Sequence, residues 1–247
     1  MVGDNWPDNG EIDMLEGVND QTTAQMTLHT NAGAIISEDQ QDQQQTTTSG
    51  SSTFTGSILT TNCDVHATDQ LPNAGCAIED STGFSFGTNF NTNRGGIIAT
   101  EWTPTSIKIW IFPRGQFPSD ITSSQPNPSL EHWGLPSSSF EGSFSVDEHF
   151  QNLRIVFDTT FCGDWAGNAW NDPGSTCASL APTCEDYVSN NPEAFKEAYW
   201  AINSLQVFQD LKVSTRGDGG DPPQSTPTPR RTRRTRRGGG AVLPVEQ

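Results

Sequence analysis

Ser106-Ile107-Lys108-Ile109-Trp110-Ile111-Phe112 alternates strictly, with the three isoleucines on one parity and Lys108, Trp110 and Phe112 on the other. A period of two belongs to the pleated strand; a helix would scatter these residues around its surface. Further short runs, apolar or alternating, occur at 11–17, 24–30, 95–102, 153–158 and 205–213, separated by Gly, Pro, Asn and Ser clusters. This pattern predicts an all-β chain, an antiparallel β-sandwich. One helix start is readable, Asn191 as N-cap with Pro192 and Glu193 in the first turn. It predicts a short helix over about 192–200 that leads into a strand at Leu205–Val213.

A chain of 247 residues can hold one large all-β domain with a sizeable core. Residues 1–213 read as that domain, with a polar loop at Gln40–Thr48. Residues 214–247 change character: Thr226-Pro227-Thr228-Pro229, then Arg pairs separated by Thr, then Gly238-Gly239-Gly240. Such a segment supplies nothing to a core and is expected to be a disordered Pro/Gly/Arg-rich tail.

Seven of the 13 basic residues lie after residue 215, so the preceding body carries 6 basic against 27 acidic residues. A body this acidic repels nucleic acid and anionic lipid and favours a neutral ligand. No apolar run approaches the roughly 20 residues of a membrane-spanning helix, so neither a nucleic acid nor a membrane is expected as partner. The start lacks the basic and apolar regions of a signal peptide.

The five cysteines are Cys63, Cys76, Cys162, Cys177 and Cys184. Zinc would draw on Cys63, His66 and Cys76, but the tight pair and the fourth ligand are missing. Disulfides fit better, Cys63–Cys76 closing one loop and two of the last three cysteines another. No metal and no cofactor are expected.

The segment Gly10-Glu11-Ile12-Asp13-Met14-Leu15-Glu16-Gly17 places three carboxylates within six residues. In a regular strand Glu11 and Asp13 share a face, while Glu16 falls on the opposite one. That face belongs to the core, where an unpaired carboxylate is costly. One extra residue, a β-bulge near Met14-Leu15, returns Glu16 to the face of the other two. Ile12 and one of Met14 or Leu15 then anchor the strand. Three carboxylates on one face raise one another's proton affinity. Glycoside hydrolysis needs that split, one ionised carboxylate as nucleophile and one protonated acid for the leaving oxygen; retention sets them roughly 5–5.5 Å apart. A solvated acidic face or a calcium site is the plainer alternative. Trp6 precedes the cluster, and seven Trp stand beside only two Tyr. Indole faces stack on sugar rings, although packing remains an equal account of any single Trp.

The cluster matches the E-x-D-x-x-E active-site signature of glycoside hydrolase family 16, and the chain resembles its fungal laminarinase and endo-1,3(4)-β-glucanase branch. Further matches are Trp6-Pro7, Thr27-Leu28-His29-Thr30, Glu101-Trp102, Phe112-Pro113-Arg114-Gly115, Thr160–Gly167 and Asn191–Leu205, so the resemblance spans about residues 1–213. It implies a curved, concanavalin A-like jelly roll with a cleft on its concave face. It also implies endo-acting, retaining hydrolysis of β-1,3(4)-glucan. Carried over residue by residue, Glu11 resembles the nucleophile, Glu16 the acid/base and Asp13 the assisting carboxylate. Trp6 resembles the platform under the sugar at the cleavage point, His29 the cleft histidine and Trp165 a contact on the leaving-group side. His29 also suits a satisfied structural histidine. A transglycosylase and a non-catalytic glucan binder are the alternative functions, and a secreted location is implied. In family members a long portion precedes the signature. The chain therefore resembles the C-terminal portion of a jelly roll, and made alone it is expected to be unstable or poorly active.

Overall fold

The computed structural model describes residues 1–37, 52–123 and 126–209. The Gln40–Thr48 loop, the 214–247 tail and the end of the expected 205–213 strand lie outside the described residues. Two antiparallel sheets form the body. The first holds β1 (Glu11–Glu16), β2 (Gln25–His29), β3 (Ser57–Thr60) and β4 (Cys76–Glu79), in the order β1-β2-β4-β3. The second holds β5 (Gly96–Trp102), β6 (Ile107–Pro113) and β7 (Ser138–Phe140) in sequence order. The runs at 11–17, 24–30, 95–102 and 105–112 thus become β1, β2, β5 and β6.

Register follows parity. Ile12 stands opposite Leu28, Leu28 opposite Cys76, and Met26 opposite Ile78. These side chains are fully buried and meet Ile98, Ile107, Ile109 and Phe140 of the second sheet in one core. The Cys63–Cys76 disulfide, both halves buried, lies in the same core. The opposite parity of β6 is not left to solvent. Trp110 packs with Ile97, Ala99, Ile121 and Trp133 in a second cluster on the outer face. Its indole donates to the Gly134 carbonyl (3.1 Å) and meets Trp133 edge to face at 5.3 Å. The excursion between β6 and β7 carries Ile121, Trp133 and Gly134 over this face, where Asp120 accepts from the Trp133 indole.

Two expected strands and the helix need correction. Across 153–158 there is only an isolated bridge from Arg154 to Val2, and the described part of 205–213 is irregular. Alternation alone makes no ladder without a neighbouring strand. Ile155, Val156, Leu205 and Val207 are exposed, although Phe208 packs against the second cluster. The helix over 192–200 is a single 3-10 turn, Pro192–Phe195, with Asn191 at its N-cap and Pro at its start. The longer helix α1 (Cys184–Asn190) comes just before it. Thr183 caps α1 through the amide of Asp186, a Ser/Thr-type cap followed by acidic first-turn residues. Pro192, lacking an amide hydrogen, ends the run.

Candidate active site

Glu11 pairs with His29, Asp13 with Thr27, and Glu16 with Gln25; the register slips between Asp13 and Glu16. The slip is the bulge that parity requires. Directly opposed residues of an antiparallel pair share a face. Glu11, Asp13 and Glu16 therefore stand with His29, Thr27 and Gln25 on the face turned from the core. All three acids line one cleft of about 670 Å³, together with Phe86, Asn91, Val156–Thr160, Cys162–Ala166 and Glu197–Trp200. Met14 and Leu15, the bulged pair, both pack against the core.

Each acid has its own surroundings. Glu11 accepts from the Trp6 indole at 2.8 Å. The loop that presents Trp6 is closed by amides of Asn9 and Gly10 donating to the carbonyls of Asn5 and Pro7. Gly10 takes a positive φ, and a Cβ there would meet the His149 carbonyl and the Phe150 ring at 2.5 Å. Asp13 is pushed well above the usual carboxylate range by burial, then by the charges of Glu16 and Glu11, and it hydrogen-bonds Glu11. Glu16 is raised to about 7, by burial first and by the Glu11 charge, against a hydrogen bond from Thr27. His29 is buried, its Nε2 3.5 Å from Asp13 Oδ2. Burial holds the imidazole below its ordinary value, against the Glu11 charge and an Asn73 hydrogen bond. One ligand atom each of Asp13, Glu16 and His29 lies within 4.8 Å of the others, so the trio could also hold a divalent cation.

The other expected residues separate by burial. Trp6 and Trp165 are partly exposed, and Trp165 lines the cleft. Trp110, Trp133 and Trp170 are buried and structural, and Trp102 packs against the main core. Cys162 pairs with Cys184, leaving Cys177 free and buried. The cleft also draws on side chains to which the sequence reading gave no role. Trp200 donates to the Asp158 carbonyl (2.8 Å) and packs on Phe157, while Tyr199 stands largely exposed beside them. The signal was the unusual aromatic density at 199–200 next to an acid, Glu197.

The model of the XgeA-like catalytic domain of glycoside hydrolase family 16 matches residues 1–208. The chain belongs to glycoside hydrolase family 16. It is 44% identical over 214 residues to an endo-1,3(4)-β-glucanase of Arthroderma benhamiae, covering 85% of this chain but 43% of that protein. Among solved structures it resembles a family 16 laminarinase of Phanerochaete chrysosporium bearing 6-O-glucosyl-laminaritriose in donor and acceptor sites. That match has 40% identity and a TM-score of 0.65, over 79% of this chain and 61% of that one. An elongating family 16 β-1,3-glucosyltransferase is 37% identical with a TM-score of 0.64, over 81% of this chain and 62% of that one. The two-sheet sandwich with its bulged acidic strand is thus a family 16 jelly-roll fold. The chain spans less than half of the Arthroderma relative and about three-fifths of the solved ones.

Proposed function

We propose that this chain is the catalytic part of an endo-acting, retaining β-1,3(4)-glucanase. The observation that carries the reading is the electrostatic division among three acids on one bulged strand. Glu11 is the nucleophile, with the Trp6 indole donating to its carboxylate and Asp13 hydrogen-bonded beside it. Its attack on the anomeric carbon forms a glycosyl ester. Glu16 gives its proton to the departing glycosidic oxygen, a transfer its raised affinity supports up to about pH 7. Glu16, now ionised, takes a proton from water, and that water cleaves the ester with net retention. His29 stands beside Asp13, its Nε2 3.5 Å from Oδ2, and Trp6 and Trp165 offer ring faces to the sugars at and beyond the cleavage point. The cleft is lined by Glu11, Asp13, Glu16, Asp158, Asp164 and Glu197 and, among the described residues, by no Lys or Arg, which suits a neutral polysaccharide. The two disulfides support work outside the reducing cytosol.

The test is mutational. In Glu11→Gln, laminarin hydrolysis should fall by about 10³-fold or more, the scale of lost covalent catalysis. In Glu16→Ala it should fall by about 10²–10⁴-fold, with partial recovery by azide or on an activated aryl glycoside. Near-normal turnover by Glu11→Gln overturns the assignment. The likeness to the glucosyltransferase gives one competing reading, transfer of the glycosyl group to a second sugar. Products longer than the starting oligosaccharide would establish transfer; shorter products alone support hydrolysis.

A further inference from the structure

Beyond the two sheets lies a small second body. The Cys162–Cys184 disulfide closes it, and its own core holds Trp170, Cys177 and Cys184 with Tyr187 and Val188 against them. The Trp170 indole donates to the Ala181 carbonyl (2.9 Å) inside it. This lobe carries Trp165 on the short helix Gly163–Ala166, among the residues that line the cleft. Two side chains of one turn tie the lobe to the first sheet. Asn19 donates from its amide nitrogen to the Ala166 carbonyl at 3.2 Å. Asp20 accepts, on one oxygen, from the Thr176 amide (2.8 Å) and hydroxyl (2.7 Å). These bonds bridge 147 and 156 residues of sequence. The turn, closed by the Gln21 amide donating to the Val18 carbonyl, lies just beyond Glu16, and Asn19 holds a left-handed conformation, φ 56°, which asparagine tolerates better than most residues. The two hydrogen bonds from Thr176 hold Asp20 below the usual carboxylate range, so it stays ionised throughout the working range of the acids.

We propose that Asp20, seconded by Asn19, is a positioning residue. It docks the disulfide lobe and thereby sets Trp165 at a fixed distance from Glu16. Neither side chain touches the reacting atoms in this scheme. Their effect is on sugars beyond the departing oxygen, where a displaced indole no longer stacks. The docking stands on the hydrogen bonds alone; its consequence for sugars rests on the glucanase reading.

The experiment compares wild type, Asp20→Ala and Asp20→Asn as the whole chain. Hydrogen exchange reads the lobe, with β5 and β6 as internal control for folding. Steady-state kinetics compare a laminari-oligosaccharide with an activated aryl β-glycoside that has no sugar on the leaving side. In Asp20→Ala, exchange across residues 163–179 should rise while β5 and β6 stay unchanged. KM for the oligosaccharide should rise about tenfold, the scale of one lost charge-assisted hydrogen bond, with kcat and the aryl substrate within about twofold. Asp20→Asn, whose amide oxygen still accepts from Thr176, should recover most of the loss. Unchanged lobe exchange in Asp20→Ala overturns the docking. Equal losses on both substrates overturn the link to Trp165. A wild type that neither binds nor cleaves laminarin defeats the glucanase reading instead, and the exchange contrast then decides the docking by itself.

Discussion

Glu16 is the residue on which pH should act most visibly, and in two separate ways. As leaving-group acid it must carry a proton, which it keeps up to about pH 7. Hydrolysis of laminarin should therefore fall above pH 7, by about tenfold per pH unit once Glu16 is mostly ionised. A rate profile flat to pH 9 would remove Glu16 from that role. Stability carries the same sign. Glu16 binds its proton more tightly folded than unfolded, since its value rises from 4.5 to about 7. Its contribution is thus fully present below pH 4.5 and lost as pH rises through 7. The shift corresponds to at most about 3.5 kcal/mol, less after solvent screening at its exposed edge. Asp13 is displaced in the same direction. Denaturant titrations at pH 4.5 and pH 8 should show wild type weaker at pH 8. Glu16→Gln should close about 2 kcal/mol of that gap.

On the scale of elements, β1 was legible because its residues conflict with a regular strand. Ile12 and Asp13 alternate correctly, Glu16 does not, and the cost of a buried carboxylate leaves a bulge as the solution. The observed slip between Asp13 and Glu16 is that solution. Segments 153–158 and 205–209 show the limit of the same reasoning. They read as short apolar or alternating runs, but a strand is a relation between two segments, and periodicity describes only one. The lobe was harder still, because its packing depends on disulfide partners that spacing left open. Gly75 was equally silent in the sequence. At its φ of +63° a Cβ would stand 2.5 Å from the Leu28 carbonyl and 2.8 Å from His29 Nδ1. Gly83 has a similar φ of +70° but open space around it. Gly83→Ala should therefore cost only the conformational penalty, about 1 kcal/mol. Gly75→Ala should cost roughly 2 kcal/mol or more, because the clash adds to that penalty. Thermal melts of the two variants check this, and equal losses would mean that the approach to His29 is not tight.

For the whole molecule, composition pointed to an uncharged ligand before any site was visible. The formal net charge is −17, and the structure concentrates part of that charge where a ligand must enter. The acids lining the cleft face no Lys or Arg among the described lining residues. A polymer with its own carboxylates would meet this field at close range, whereas an uncharged glucan meets only the cost of displacing water. The two are otherwise alike in ring shape and stacking surface, so a comparison isolates the electrostatic contribution. Carboxymethylated β-1,3-glucan should bind at least about tenfold more weakly than laminarin of equal length at 20 mM salt, where the Debye length is roughly 20–30 Å. At 500 mM salt, screening falls within a few ångströms of each charge, and the difference should shrink to about twofold or threefold. Titration calorimetry with Glu11→Gln avoids turnover during the measurement, and the remaining acids of the cleft still supply the field. A preference for laminarin that persists unchanged at high salt would locate the selectivity in ring contacts such as Trp6 and Trp165. Equal binding of both polymers at low salt would show that the acids are mostly neutral in the cleft, and that protonation has removed the field that their number implies.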